Sequence, residues 1–594
     1  MSLPQRKKYS GRTRRLLLAF DIGTTFSGIS YSILDPGNVP EILPVTRFPS
    51  QEQIGGDSKI PTVIYYNSAG NPCAIGAETL KEGIEEDAEQ NGWTQAKWFK
   101  LHLRPRPSGQ LNSPNTDPGI PPLPPHKTVV HVFKDYMHYL HRCAREYISE
   151  THGDRLWSAV KDDIMYVLTH PNGWGGPQQT QMRAAATLAG FVANGEEAQS
   201  RITFVTEGEA SLHFCLTNGL SLSADKKSGV MIVDAGGGTI DVTAYRKRKN
   251  SSFEEIAIPE CHFQGAAYVT MRAKEYFTDL LSNTRFSQDI ETLERRFDRN
   301  TKHVFRKDSE PHHIQFASHR ERDSALNIRG GRLTLSGVVV AKMFEPSITC
   351  IVDAVRAQKA ASHFSIKSLF LVGGFSASTW LFDRVREKVE ALGITVSRPD
   401  TFVNKAVSNG AVSFVLDHVV TTRVSRLTYG LYCDTPFRSE DPEHQKRANR
   451  TFRDQFDGKR MLKGKYQIIL PKGIIKNIRI RETVEFKEAF TQKSTDKKSL
   501  KTISAAILVY TGKKSNPTWA SDDPGSYSIA CRIEADTSAV TLVKRKSTVT
   551  SQTYYRMDYE VVLLFGLTEL VAQIAWSDDS GNETRSPAKV VYAT

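Results

Sequence analysis

A chain of 594 residues, 24% charged and 39% hydrophobic, is long enough for several domains and has the balance of an ordinary globular protein. No run approaches the roughly 20 apolar residues that a membrane span needs. Arg12, Arg14 and Arg15 lead straight into the first apolar run, so no secretory leader is expected. The seven cysteines (73, 143, 215, 261, 350, 433 and 531) are scattered, odd in number and free of any Cys-x-x-Cys pair. That pattern favours free thiols in a reducing compartment over a disulfide framework or structural zinc. The net charge of +13 is uneven: residues 1–15 carry +6, residues 423–594 carry +9 and the long middle is near neutral at −2. A basic surface of this kind attracts acidic proteins, nucleic acid or anionic lipid, although a solvated face without a dedicated partner is the simpler explanation.

Residues 1–15 are expected to form a disordered basic tail. Arg6-Lys7-Lys8 with Arg12, Arg14 and Arg15 also has the composition of a nuclear-import signal. Leu16-Leu17-Leu18-Ala19-Phe20 is a buried-type strand that runs into Asp21-Ile22-Gly23-Thr24-Thr25-Phe26, a turn from which a second strand continues to Leu34. Lys59 to Tyr66 reads as a further strand. Residues 104–125 contain eight prolines and are expected to form a surface insertion, neither helix nor central strand. Val132, Tyr136, Leu140, Ala144 and Tyr147 then recur at helical spacing. Ile164 to His170 reads as a buried strand, with His170 a strand-end residue.

The strand–turn–strand plan of Asp21 returns at Val230-Met231-Ile232-Val233-Asp234-Ala235-Gly236-Gly237-Gly238-Thr239-Ile240-Asp241. Three consecutive glycines permit positive φ and a close backbone approach to a ligand. Successive N–H groups in such a turn can cradle phosphate oxygens, and the flanking carboxylates suit a hydrated magnesium ion. A third apolar strand, Leu369 to Val372, ends in Gly373-Gly374-Phe375. A helix is expected to begin after Phe344-Glu345-Pro346 and run through Ile351 and Val355. From about Val424 the periodicity shortens. Tyr466–Leu470, 474–480, Ile503–Tyr510, Tyr527–Ile533 and Tyr559–Phe565 read as strands separated by Asp-Gly, Lys-Gly and Asp-Pro-Gly turns.

The paired hairpins and the Gly-Gly strand, in that order, resemble the phosphate and adenosine motifs of the actin-like ATPase superfamily. Within it the chain looks most like a divergent, lid-less branch of the DnaK-type, 70-kDa heat-shock family. The resemblance implies a two-lobed α/β ATPase with ribonuclease H-like lobes over residues 16–422 and a β-rich partner-binding domain over 423–594. It further implies ATP or ADP with magnesium as ligands. Asp21, Gly23, Thr24, Thr25, Phe26, Gly236, Gly237, Gly238, Thr239, Lys302, Gly373, Gly374 and Phe375 would surround the nucleotide, with Asp21 and Asp234 holding magnesium through water. Asp234, Glu207 and Thr239 would position the attacking water, and Asp241 would tune them. Lys97 follows Ala96 as the phosphate lysine does in the chaperones and is preferred for that role over Lys100. Phe375, where the family has no aromatic residue, either stacks on the base or faces the core.

Departures from the family are as informative. Gly208 replaces the proline that follows the family's glutamate, the adenine-stacking arginine is missing, and no long helical lid follows the β-rich region. The implied function is ATP binding, with hydrolysis coupled to capture of a client or partner protein, aided by a co-chaperone, in the cytoplasm or nucleus. A nucleotide-sensing scaffold with negligible turnover is the alternative from another class, and a metabolite kinase of the same superfamily is a third. Nucleic acid is not an expected partner, since no basic–aromatic interleaving marks a recognisable module.

Overall fold

A computed structural model describes residues 6–51, 59–105, 119–218, 228–249, 252–399, 406–473, 475–477, 484–565, 569–587 and 589–590. The chain divides into two compact units. One comprises Met1–Trp174 and Gln178–Val420, and the other Thr421–Thr594 with the short segment Gly175–Pro177. Among the described residues, no helix is long and apolar enough to cross a membrane.

The first unit is built twice on one plan. In its first sheet β1 (Arg15–Ile22) forms an antiparallel hairpin with β2 (Phe26–Leu34), and β3 (Lys59–Pro61) adds to the far side of β2. After the long helix α1 (Val129–His152), β4 (Ile164–His170) and β5 (Ile202–Thr206) extend the sheet in parallel from β1. β1 is apolar on both faces because both faces are covered, as parallel sheets require. α1 presents Val132, Tyr136, Leu140 and Ala144 to this core, the stripe that its sequence period predicts.

Helix α2 (Glu207–Thr217) leads to the second sheet. There β6 (Gly229–Ala235) and β7 (Ile240–Lys247) repeat the hairpin, with β8 (Phe253–Glu255) and β9 (Glu260–His262) paired to β7. After helices α3 (Ala266–Leu281) and α4 (Gly337–Ala361), β10 (Ile366–Val372) and β11 (Thr395–Ser397) extend the sheet in parallel from β6. α4 is longer than the sequence suggests. It starts at a Ser336 cap, whose hydroxyl accepts from Val339 N–H, and carries Pro346 in its interior. Helix α5 (Ala406–Asp417) closes the unit and crosses α2 so tightly that a Cβ on Gly410 would lie 1.8 Å from the Ala210 carbonyl oxygen. At the N-terminal end of the description, Arg6 pairs with Asp417 at 2.8 Å and Tyr9 exchanges backbone hydrogen bonds with Gly37 and Asn38. Most of the proline-rich stretch (106–118) lies outside the described residues. Its end tucks Ile120 against Trp98 and Leu101.

Among the described residues from Thr421 on, the second unit is β-sheet with short helical turns. One sheet runs Thr451–Arg453, β13 (Arg460–Leu470), β12 (Thr428–Pro436), β15 (Thr502–Tyr510) and β16 (Tyr527–Asp536). The other runs β14 (Val484–Ser494), β17 (Thr553–Phe565), β18 (Leu570–Ser577) and Glu583–Arg585. Leu431, Tyr466, Ile507, Ile533, Val561 and Ile574 are among the side chains that meet in a shared core. Of the strand expected over 474–480, only Ile475–Asn477 is described, and it is extended.

Candidate functional site

The turns of the two hairpins face each other. Gly236 N–H donates to the Thr239 carbonyl and closes the glycine turn. A Cβ on Gly237 would lie 2.2 Å from Thr25 Oγ1, and one on Gly238 would lie 2.2 Å from Thr24 Oγ1. The expectation of positive φ is corrected here: the glycines at 23 and 236–238 are absent from the left-handed region, and at 237 and 238 closeness to the opposite turn is what excludes a side chain. Gly373 does occupy that region, at φ 86°, and brings its own backbone against Asp234 and the Ala235 carbonyl.

Helix α3 supports the glycine turn from behind. The N–H groups of Gly265, Ala266 and Ala267 donate to the carbonyls of Gly238, Gly236 and Gly237, at 3.2, 3.1 and 2.7 Å. These donors would otherwise be orphans of a helix start. Spending them on the turn carbonyls fixes the orientation of its peptide planes. A Cβ at Gly265 would meet the backbone of Gly236, Gly237 and Gly238 within 2.7 Å.

Behind the turns four carboxylates converge: Asp21 from the end of β1, Asp234 from β6, Glu207 from the start of α2 and Asp241 from β7. All four are buried. Asp234 and Asp241 are register partners across the hairpin. Ser211 donates to Asp234 at 2.6 Å, Thr169 donates to Asp21 at 3.0 Å, and the Asn172 N–H donates to Asp241 at 2.6 Å. Two ammonium groups enter the cluster. Lys59 pairs with Asp21 at 2.7 Å and the buried Lys100 pairs with Glu207 at 2.5 Å, over the face of Trp174.

The electrostatics follow from four negative groups and two positive ones in a dry place. Burial, then Glu207, pushes the Asp234 carboxyl up to about 7. Burial, then Glu207 and Asp234, pushes Asp241 up to about 8. Burial raises Glu207 against the opposing pull of Lys100. For Lys59 burial acts downward, but Asp21, with Asp234 and Glu207 beyond it, outweighs that and holds the ammonium above its usual value. Carboxyls raised in the fold bind protons that the unfolded chain has released, so stability is greatest at low pH and falls as pH rises through these values. Each group contributes about 1.4 kcal/mol per pH unit across its window. Thermal melting of the ligand-free chain should therefore drop by about 5 °C between pH 5 and pH 8, and Asp234→Asn should flatten the slope. A wild-type melting temperature that rises over this range would contradict the assignment.

Hard oxygen donors clustered under two backbone turns are the chemistry that a hydrated divalent cation and a polyphosphate require. Carboxylate oxygens are the donor type that magnesium takes, and among the described residues no three His, Cys, Asp or Glu side chains group closely enough to hold a metal ion directly.

The other expected residues divide. Thr24, Thr25, Gly236–Thr239, Asp21, Asp234 and Glu207 come together, and Phe26 follows the first turn with its side chain exposed. Lys97, the lysine expected beside the phosphate, pairs with Glu294 at 2.8 Å and lies over Trp98, whereas Lys100 pairs with Glu207 in the carboxylate cluster. Lys302 is bound to Asp298 and to Thr270 beneath the start of α3. Of the two roles left open for Phe375, the core prevails. It is buried against Phe344 because it heads a helical turn packed on α4. His170 is a core histidine that contacts Phe204. Lys59, Thr169, Asn172, Trp174, Ser211 and Gly265 adjoin the cluster and lie outside the expected site residues.

Two lobes of repeated βα plan, with their hairpin turns opposed over buried carboxylates, define an actin-ATPase-like fold, followed here by a β-rich region. No protein-family model matches the chain. It is nevertheless a distant homologue of the heat shock 70 kDa protein 12 group over most of its length. It is 23% identical to human heat shock 70 kDa protein 12B over 518 residues, covering 72% of each chain. It is also 23% identical to heat shock 70 kDa protein 12A of mouse and of human, covering 71% and 70% of this chain and 72% of each relative.

Proposed function

We propose that this chain binds ATP with magnesium between the two hairpin turns and hydrolyses it, coupling nucleotide state to capture of a partner protein by the β-rich unit. The observation that carries this reading is the opposition of Thr24 and Thr25 to Gly237 and Gly238 directly above the carboxylate cluster. The backbone of both turns would hold the phosphates, and Lys100 would stand beside the terminal one. Asp234, Glu207 and Thr239 would orient the attacking water. No covalent nucleophile is called for, since orientation and charge neutralisation suffice for phosphoryl transfer to water. Bound magnesium would supply further charge neutralisation, held through water by Asp21 and Asp234. Kinship with heat-shock proteins supports partner capture as the output.

Thermal melting tests binding. Saturation at about 100 times Kd adds about 2.7 kcal/mol to the folded state, a rise of about 2–3 °C for a unit of this size. Magnesium-ATP should produce that rise, chelation of magnesium should remove it, and Gly265→Ala should abolish it by displacing the glycine turn. No rise at millimolar nucleotide would overturn the proposal.

A further inference from the structure

Between α3 and α4 the second lobe carries a small antiparallel sheet, ordered His312–Gln315, Arg332–Leu335, Ile328–Arg329, Arg322–Asp323. Gly330 and Gly331 join its two middle strands with φ of 61° and 67°, the pair of left-handed conformations that a tight type I′ hairpin needs. A Cβ on Gly331 would lie 2.2 Å from the Ala317 carbonyl oxygen, so the turn is held against the preceding chain. The register follows from that turn. Arg329 opposes Arg332, and on its other side it opposes Arg322. Directly opposed residues share a face, with their Cβ atoms about 5 Å apart. Ile328 and Leu333 face the core, and all three arginines are exposed on the outer face. Like charges set abreast in this way weaken a sheet unless something answers them. Among the described residues none of the three forms an ion pair; Arg332 Nε donates to the neutral Gln315 side-chain oxygen at 3.0 Å. The adjacent carboxylates are occupied elsewhere. Glu321 pairs with Arg285 at 2.9 Å, and Asp323 accepts from the N–H groups of Ala325 and Leu326 at 3.0 and 3.2 Å.

We propose that Arg322, Arg329 and Arg332 form a docking surface for an acidic helix of a partner protein. Guanidinium forks match carboxylates two bonds at a time, and the spacing of the row selects a helix to carry them. Glutamates three or four residues apart on a helix stand about 5–6 Å from one another, close to the cross-strand step of the arginines. Positions i and i+7 are about 10 Å apart along a helix, the length of the row from Arg322 to Arg332. Alternate residues of an extended segment stand about 7 Å apart and fall out of step. The neighbours of the row on the outer face, Gln315, Thr334 and His313, include no Phe, Tyr or Trp. A single-stranded nucleic acid would find no such ring on which to stack a base. Charge complementarity and pitch together therefore favour a stripe of carboxylates on a helix.

The test uses the full-length chain without nucleotide, so that its outcome is independent of the ATP site. Two fluorescent helical peptides of one composition are the probes. The first sets glutamates at i, i+4 and i+7 in a single stripe, and the second spreads the same glutamates around the helix. By fluorescence anisotropy at low salt the striped peptide should bind about fivefold tighter than its isomer, and added salt should weaken it. Arg329→Gln, at the centre of the row, should weaken it about fivefold, and the triple variant Arg322→Gln, Arg329→Gln, Arg332→Gln about 10²-fold. Arg356→Gln, which removes an exposed arginine of α4, should leave binding unchanged. The triple variant relieves repulsion and should melt no lower than wild type. Equal binding of the two peptides by the wild-type chain would overturn the proposal. So would a single-stranded oligonucleotide that binds through these arginines where the striped peptide does not. The wild-type comparison decides the matter without any variant.

Discussion

Lys100→Met should lower ATP hydrolysis by about 10²- to 10³-fold, the usual loss when a preorganised charge is withdrawn from a developing anion. Lys97→Met should stay within about threefold of wild type. The contrast rests on where the two amines go: Lys100 is buried against Glu207, and Lys97 neutralises Glu294 away from the cluster. Removing Lys100 alone also leaves Glu207 buried without its partner, a change that costs about 3–5 kcal/mol of stability. Stability and turnover can be separated by the double variant Lys100→Met with Glu207→Gln. It should recover much of the melting temperature and none of the activity. Equal losses from Lys97→Met and Lys100→Met would refute the assignment.

Asp234→Asn should lower turnover by about 10²-fold or more while nucleotide affinity stays within about tenfold, because in the proposed site the phosphates would be held chiefly by backbone. An amide accepts at one oxygen and carries no charge, so it would keep the Ser211 hydrogen bond and lose the proposed hold on hydrated magnesium and attacking water. The loss is expected without unfolding, and thermal melting of the variant checks this. The native carboxyl is raised to about 7 by burial and Glu207, so the neutral amide should leave the ligand-free chain at pH 8 at least as stable as wild type. An Asp234→Asn chain that hydrolyses at the wild-type rate would remove Asp234 from the site.

How much of this was legible in the sequence depends on whether the information is local. Each hairpin writes its strand, carboxylate and glycine turn into about a dozen consecutive residues, so both halves of the site and the lobe repeat could be read directly. Lys59 could not. It reaches Asp21 because β3 pairs with β2 so that Lys59 lies opposite Gly28, and Gly28 opposes Asp21 in the next strand. Such a relation exists only after the sheet forms.

The choice between Lys97 and Lys100 turned on a single backbone conformation. Trp98 adopts φ 55°, ψ 23°, a left-handed kink between the strand that ends at Lys97 and the helical turn that holds Lys100. Residue type gives little warning of that in a tryptophan. Phe375 shows the same limit, since one aromatic residue after Gly-Gly can serve base or core and only the packing of α4 decides.

In the β-rich unit β12, β14 and β18 were not read from the sequence, and β14 is the longest of them. Its outer face carries Glu485 and Lys487, which join Glu560, Glu583 and Arg585 in a cross-strand ladder of ion pairs. That charge density hides an alternation whose inward members, Phe486 and Phe490, pack on the core. Exposed pairs of this type add little stability, but they keep a sheet face soluble.

The most direct test of the central claim is single-turnover hydrolysis: magnesium-ATP with the full-length chain in excess, phosphate followed against time. The account predicts one exponential that converts all bound ATP to ADP and phosphate, and a trace that stays flat for Asp234→Asn over the same interval. Recovery of intact ATP from a saturated wild-type chain would contradict it, and would leave a nucleotide-binding scaffold in place of an ATPase.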